Sequence, residues 1–314
     1  IIYMSKRSNL AIVFPGQGSQ SLGMMDNLMK LDKDVKKIFN IASEILGYNI
    51  LEIISSGPKE KLNKTEITQP AILLTSYATW LLWKKKSDLI PDVLAGHSLG
   101  EYTALLCAGV INLEDAINLV SERGKFMQKS VPSNVGAMAA ILGLADEVIE
   151  KLCQDVSNNK IVSAANYNSP GQVVISGHKI AVKRVIDMAK EVGAKRAVLL
   201  PVSVPSHCVL MKNAAHEFSK LLNVITFKDA EIPILQNVDA KIKTSSNEIK
   251  PILLEQLYKP VRWVDTINTI HSLGVIKIIE CGPGKVLCGL IRQIENSFKL
   301  FSIQDQTSLE NSLV

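Results

Sequence analysis

Apolar positions follow two rhythms along this chain, and the way they alternate predicts the architecture. Leu10 to Phe14 is a continuous apolar run that stops at Pro15-Gly16, the pattern of a strand buried on both faces and entering a tight turn. Helical periods follow at Val35 to Leu46 and at Pro70 to Lys84, where Pro70 suits a first helical turn. Asp92 to Ala95 reads as a second strand, ending at Gly96. Behind it, Leu99 to Ala108 and Leu113 to Lys129 are helical in period, and Asn112 with Asp115 three residues on predicts a cap for the second. Strands alternating with helices predict an α/β fold with a parallel sheet covered on both faces.

The middle of the chain changes rhythm. Gly136 to Gly143 reads as a strand, Ala145 to Val156 as a helix, and Ile161 to Asn166 and Gln172 to Ser176 as strands joined by the turn Asn168-Ser169-Pro170-Gly171. Ile180 to Val192 is helical and Ala197 to Val202 a strand. The order βαββαβ is that of a ferredoxin-like module. Flanked by Pro132, Pro201 and Pro205, it predicts a small domain over residues 131–203 inserted into a larger one formed by 1–130 and 204–314. The larger domain resumes with a helix from Val209 and strands at Pro233 to Leu235 and Val275 to Glu280.

Composition narrows the function classes. At 314 residues with 47% hydrophobic and 21% charged side chains, the chain has an ordinary globular make-up, which excludes disorder and small disulfide scaffolds. A net charge of +5 without a dense Lys/Arg tract argues against nucleic acid as a partner. Ala71 to Trp83, the longest apolar stretch, is interrupted by Thr75, Ser76 and Thr79 and is shorter than the ~20 residues of a bilayer span, so no membrane insertion is expected. The first seven residues lack an apolar core of signal-peptide length, and Met4 reads as the natural start. Five cysteines without a paired CxxC set read as reduced thiols of a cytoplasmic protein, and no zinc site is expected.

The sharpest chemical signal is Gly96-His97-Ser98-Leu99-Gly100, placed between a predicted strand and a predicted helix as a nucleophile elbow requires. A serine there sits on a strained turn, with the backbone N–H of Leu99 at a helix start, where developing negative charge is favoured. The hydroxyl needs a base. Of five histidines, His97 lies inside the elbow, His178 opens a helix of the module, and His216 and His271 sit in helical surface patterns. That leaves His207, in a loop rich in turn-forming residues just after the module returns to the large domain. Phe14-Pro15-Gly16-Gln17-Gly18 can present backbone N–H groups to an anion. Ser21 stands where a dinucleotide loop wants glycine, so a second oxyanion donor from Gln17 fits better than a nucleotide site.

Arg123 is the fourth feature. At ~100° per residue, the helix from Leu113 gathers Leu113, Ala116, Ile117, Leu119, Val120, Gly124, Phe126 and Met127 on one broad arc, and Arg123 falls inside it. An inward guanidinium needs an anion. Two anions stay open at this point: a carboxylate of the protein itself, or one that arrives with the substrate.

Together these motifs resemble the malonyl-CoA:acyl carrier protein transacylases of fatty-acid synthesis. Also matching are Gln69-Pro70, Glu101, Arg123-Gly124, Met127-Gln128, Gly136-Ala137-Met138, Asn166 to Gln172, Val204-Pro205-Ser206-His207, Gln256-Leu257 and Gly282-Pro283-Gly284-Lys285, in the family's order over nearly the whole chain. The resemblance implies an α/β-hydrolase-like large domain with a ferredoxin-like insert, usually monomeric, that needs no cofactor. Its implied partners are malonyl-CoA and acyl carrier protein. It implies Ser98 as nucleophile, His207 as base and then acid, and Gln256 as the group that orients His207, by side chain or by carbonyl. Gln17 and Leu99 would form the oxyanion hole, and Arg123 would pair with the malonyl carboxylate. Cys281 departs from the aliphatic residue expected there. The rival reading is a serine esterase, whose chain order of Ser, acid, His demands an Asp or Glu at a strand end, and none stands out between Ser98 and His207.

Overall fold

The structure, a computed structural model, describes residues 8–132, 134–157, 160–202 and 204–314. Met4 lies outside the described residues, as does Ser203, the expected last residue of the inserted module. Among the described residues, ten strands form two sheets: β1 (Leu10–Phe14), β2 (Val93–Gly96), β3 (Gly136–Leu142), β4 (Val162–Ser169), β5 (Gln172–His178), β6 (Arg196–Leu199), β7 (Ile234–Leu235), β8 (Ile242–Lys243), β9 (Lys277–Cys281) and β10 (Lys299–Ile303). The larger sheet has the order β10-β9-β1-β2-β7-β8, parallel throughout except for β8.

The unbroken apolar run of β1 has a physical cause. Ile12 and Phe14 pack into the core on one face of the sheet, shared with the helices Thr65–Lys84, Gly100–Cys107 and Leu113–Lys129. Ala11 and Val13 pack on the other face with Trp263, Ile267, Leu287 and Ile291. A strand covered on both sides shows no polar alternation. Among the described residues no single helix is long and apolar enough to cross a membrane; only the pair Lys33–Leu46 and Ile50–Ser56 reaches that length, bent by 114°.

The second sheet, β4-β5-β3-β6, is antiparallel, with the strand order of a ferredoxin-like module. Its helices, Asp146–Val156 and Lys179–Glu191, cover one face, where Ile141, Ile149, Val173, Val182 and Val185 form a core of their own. The other face, with Met138 and Val174, looks into a cavity shared with the large domain. Edge strand β4 is stitched to the large domain through Val261, whose N–H donates to the Ala165 carbonyl (2.8 Å) and whose carbonyl accepts from Tyr167 N–H (3.0 Å).

Some expectations shift. Pro70 lies inside a helix that already begins at Thr65. The earlier turn forms because the Lys64 carbonyl accepts from the N–H groups of Ile67 and Thr68, and the Thr68 hydroxyl donates to the Leu62 carbonyl, so the missing N–H of Pro70 falls where the helix is already nucleated. The strand expected to reach Val202 ends at Leu199, because Leu200 and Val202 turn to line the cavity. The helix expected from Val209 opens as a short 3-10 turn before continuing from Lys212 to Val224. Asn112 caps its helix as expected, accepting from Asp115 N–H at 2.8 Å.

Candidate active site

All four chemical features converge at the carboxyl ends of the parallel strands, where open α/β sheets place their ligands. Pro15 to Ser19 follow β1, His97 to Leu99 follow β2, Asn237 follows β7, and Val286, Leu287 and Leu290 lie on the helix after β9. With the open face of the small sheet, all of these except Asn237 line a cavity of about 330 Å³.

The elbow forms because glycine is the only residue that fits on either side of the serine. A Cβ on Gly96 would overlap the Gly100 carbonyl, and one on Gly100 would overlap the Phe14 carbonyl. Ser98 itself adopts φ = 51°, a left-handed conformation that costs a β-carbon-bearing residue roughly 1–2 kcal/mol. Asn237 offsets that strain: its Oδ1 accepts the Ser98 N–H at 2.7 Å and its Nδ2 donates to the Gly96 carbonyl at 2.6 Å.

The Ser98 hydroxyl lies 2.7 Å from Nε2 of His207. The other ring nitrogen, Nδ1, is 2.7 Å from the main-chain carbonyl of Gln256. A carbonyl only accepts, so Nδ1 carries the proton, and Nε2 is left with a lone pair facing the hydroxyl. Sequence reasoning left open whether the side chain or the carbonyl of Gln256 meets His207, and the carbonyl is the partner. An esterase triad would place a carboxylate there instead. Burial, reinforced by the charge of Arg123, pushes His207 down to about 3, so the ring is neutral across the physiological range.

That depression has a measurable sign. A histidine of ordinary pKa, ~6.5, binds a proton in the unfolded chain well before the folded one does, so stability falls as pH drops from 6.5 towards 3. Between pH 5 and 6 the wild-type protein is expected to lose more stability than a His207→Asn variant, by up to ~1.4 kcal/mol per pH unit. Equal slopes in urea titrations would show that His207 protonates normally in the fold.

Arg123 is 1% exposed, as its place on the apolar arc requires. Gly124 makes that place available, since its backbone packs so closely on Glu66 that a Cβ would come within 2.7 Å of the Glu66 Cα. Nη1 donates to Oε1 of Gln69 at 2.9 Å, and Nη2 donates to Oε1 of Gln256 at 3.0 Å and lies 3.4 Å from Ser98 Oγ. The guanidinium also sits over the Tyr102 ring, 5.1 Å from its centroid. The internal salt bridge that the sequence left open is not formed: no ion pair among the described residues includes Arg123. A buried cation held by neutral oxygens beside a hydroxyl and an open cavity has the chemistry to receive an incoming anion. Gln17 and Leu99 both line the same cavity.

Residues 11–299 match the family model described as the acyl transferase domain. The chain belongs to the acyl transferase family. The malonyl CoA-acyl carrier protein transacylase of Salmonella typhimurium is 47% identical over 306 residues, spanning 98% of this chain and 99% of the relative. That of Haemophilus influenzae is 49% identical over 299 residues, spanning 95% and 96%. Among solved structures, an acyl carrier protein S-malonyltransferase from Vibrio cholerae superposes with a TM-score of 0.94 at 50% identity, covering 97% of this chain and 99% of that one. A type II PKS acyl-carrier protein in complex with its malonyl-transacylase gives 0.96 at 49%, covering 98% and 99%.

Of the remaining histidines of this acyl transferase, His97 donates from Nε2 to Asn168 Oδ1 (2.8 Å), tying the elbow to the small module. His178 closes β5 and accepts the Ile161 N–H on Nδ1 at 2.9 Å. His216 and His271 are exposed on helices, as their patterns suggested. Asn237 escaped sequence reasoning, because a polar residue after a two-residue strand carries no local mark of its role. Glu101 and Gln69 stood inside quoted motifs without a task. For Glu101 a signal existed: it is the one acidic residue on the helix Gly100–Cys107, whose residues from Gly100 to Leu106 are all buried.

Proposed function

We propose that this protein transfers the malonyl group from malonyl-CoA to the phosphopantetheine thiol of acyl carrier protein, supplying fatty-acid synthesis. The observation that carries this reading is Ser98 Oγ standing between a neutral imidazole at 2.7 Å and, at 3.4 Å, a guanidinium that forms no ion pair among the described residues. The first can take a proton from the hydroxyl, and the second can hold a carboxylate at the far end of a short acyl chain.

In the acylation step, Ser98 Oγ attacks the thioester carbonyl as its proton passes to Nε2 of His207. The N–H groups of Gln17 and Leu99 receive the developing oxyanion. The C–S bond then breaks, CoA leaves with the proton from His207, and a malonyl ester remains on Ser98. In the second half, the carrier thiol gives its proton to His207 and attacks the ester; the C–O bond breaks and Ser98 regains its proton. The Gln256 carbonyl keeps His207 in the required tautomer throughout. Arg123 pairs with the malonyl carboxylate in both halves. Both half-reactions proceed with side chains and backbone groups of this chain alone, so the reading needs no cofactor. It also places the enzyme in the cytoplasm as a monomer, with residues 1–130 and 204–314 as the catalytic domain and 131–203 as the small domain.

Intact-mass measurement after mixing with malonyl-CoA tests this directly. The expected result is a malonyl adduct that persists in buffer and is discharged on adding holo-acyl carrier protein. Rapid loss of the adduct without a carrier would identify a hydrolase instead. The likeness to a malonyl-transacylase bound to a type II PKS carrier favours a second reading, in which the acceptor belongs to polyketide synthesis. Parallel discharge by a fatty-acid and a polyketide holo-carrier separates the two by rate.

A further inference from the structure

Glu101 is 1% exposed, yet it forms no ion pair among the described residues. A buried carboxylate without a cation is costly unless hydrogen bonds hold it. Two do, and both end on the same oxygen: Oε2 accepts from Nε2 of Gln256 at 2.8 Å and from the Asn237 N–H at 3.1 Å. Each donor leads onward. Asn237 clamps the elbow, and the Gln256 amide reaches Arg123.

The Gln256 amide has two ends that differ only in which group donates. Its Oε1 faces Nη2 of Arg123, a pure donor. Its Nε2 faces Oε2 of Glu101 and the Ser98 carbonyl at 2.9 Å, both acceptors. Turned over, the amide would set its NH2 against the guanidinium and its oxygen against the two acceptors. Burial raises the Glu101 carboxyl to about 7, but Oε2 faces two donors and stays an acceptor even when the other oxygen carries a proton, so Glu101 holds the amide the right way round.

We infer that Glu101 is a positioning residue for acyl-group specificity: through the Gln256 amide it fixes Arg123 in the pose that receives the substrate carboxylate. Because the amide separates the two, Glu101 steers the guanidinium without pairing with it, and the positive charge stays available to the ligand. The inference rests on the reading of Arg123 given above, and it adds a residue that touches neither substrate nor Ser98 Oγ.

The readout is the ratio of kcat/KM for malonyl-CoA to kcat/KM for acetyl-CoA, which a general loss of folded enzyme leaves unchanged. Glu101→Ala is expected to lower this ratio about tenfold, the scale of leaving a buried donor without its acceptor. Glu101→Gln can put its amide oxygen where Oε2 stands and accept both bonds, so it is expected to keep the ratio within about twofold. If the Ala variant does not fold, Glu101→Leu fills the space without an acceptor and takes its place. Malonyl and acetyl rates falling in parallel would overturn the inference, as would a Gln variant as poor in ratio as Ala. Arg123→Ala is the control. If it leaves the ratio unmoved, the reading of Arg123 itself fails. If it moves the ratio and Glu101→Ala does not, only the role of Glu101 fails.

Discussion

Replacing Arg123 with alanine is expected to cut kcat/KM for malonyl-CoA about a thousandfold, while acetyl transfer falls far less. The size follows from the environment. Removing one partner of a desolvated ion pair costs roughly 3–5 kcal/mol, and each ~1.4 kcal/mol is a factor of ten in rate. Arg123 is fully buried, and its charge is met by two amide oxygens and a ring face, none of them anionic. A malonyl carboxylate entering the variant would lose its water and gain no counter-charge. An acetyl group has no such end and loses only packing. Steady-state rates with both donors provide the check. Equal losses would place Arg123 in the support of the fold, holding Gln69 and Gln256 together. A thermal melt of the variant separates that case from a change confined to the site.

The second large effect concerns Ser98. A Ser98→Ala variant is expected to form no malonyl adduct and to lose activity by about a millionfold, the scale seen when the nucleophile of a hydroxyl–imidazole pair is removed. Alanine keeps the Cβ that already sits at φ = 51°, so neither the elbow nor its Asn237 clamp is disturbed. Stability is therefore expected to stay near that of the wild type, which makes the loss of adduct a statement about chemistry. A variant that still gained the malonyl mass would remove Ser98 as nucleophile and direct attention to another hydroxyl lining the cavity, such as Ser206.

Both predictions rest on residues that the sequence marked, and for understandable reasons. Ser98 stands in a pattern whose glycines are required by overlap with the neighbouring backbone, so local sequence carries the whole signal. Arg123 is visible as a lone charge on an apolar arc, because helical periodicity converts sequence position into direction. The ferredoxin-like module was legible from its order of periods, and its observed strand order agrees. Shorter or half-exposed pieces left no such trace. β8 has two residues, and four of the five residues of edge strand β10 are not fully buried, so neither shows a clean alternation.

What the sequence by itself determined is the set of elements and the chemical parts: a doubly covered parallel sheet, an inserted antiparallel module, an elbow serine, a loop histidine and an inward arginine. Each follows from forces acting within a few turns of chain, namely hydrophobic periodicity, glycine sterics and the cost of turning a charge inward. Only the tertiary structure decided how those parts are wired. The Gln256 carbonyl, not its side chain, holds His207, and the bonds by which the Gln256 amide links Arg123 to Glu101 and Asn237 braces the elbow join residues 133 to 155 positions apart. The His207–Gln256 bond itself spans 49. Hydrogen bonds at such separations are selected by packing, which brings the donors and acceptors together, and no period or motif in the chain encodes which oxygen will face which nitrogen.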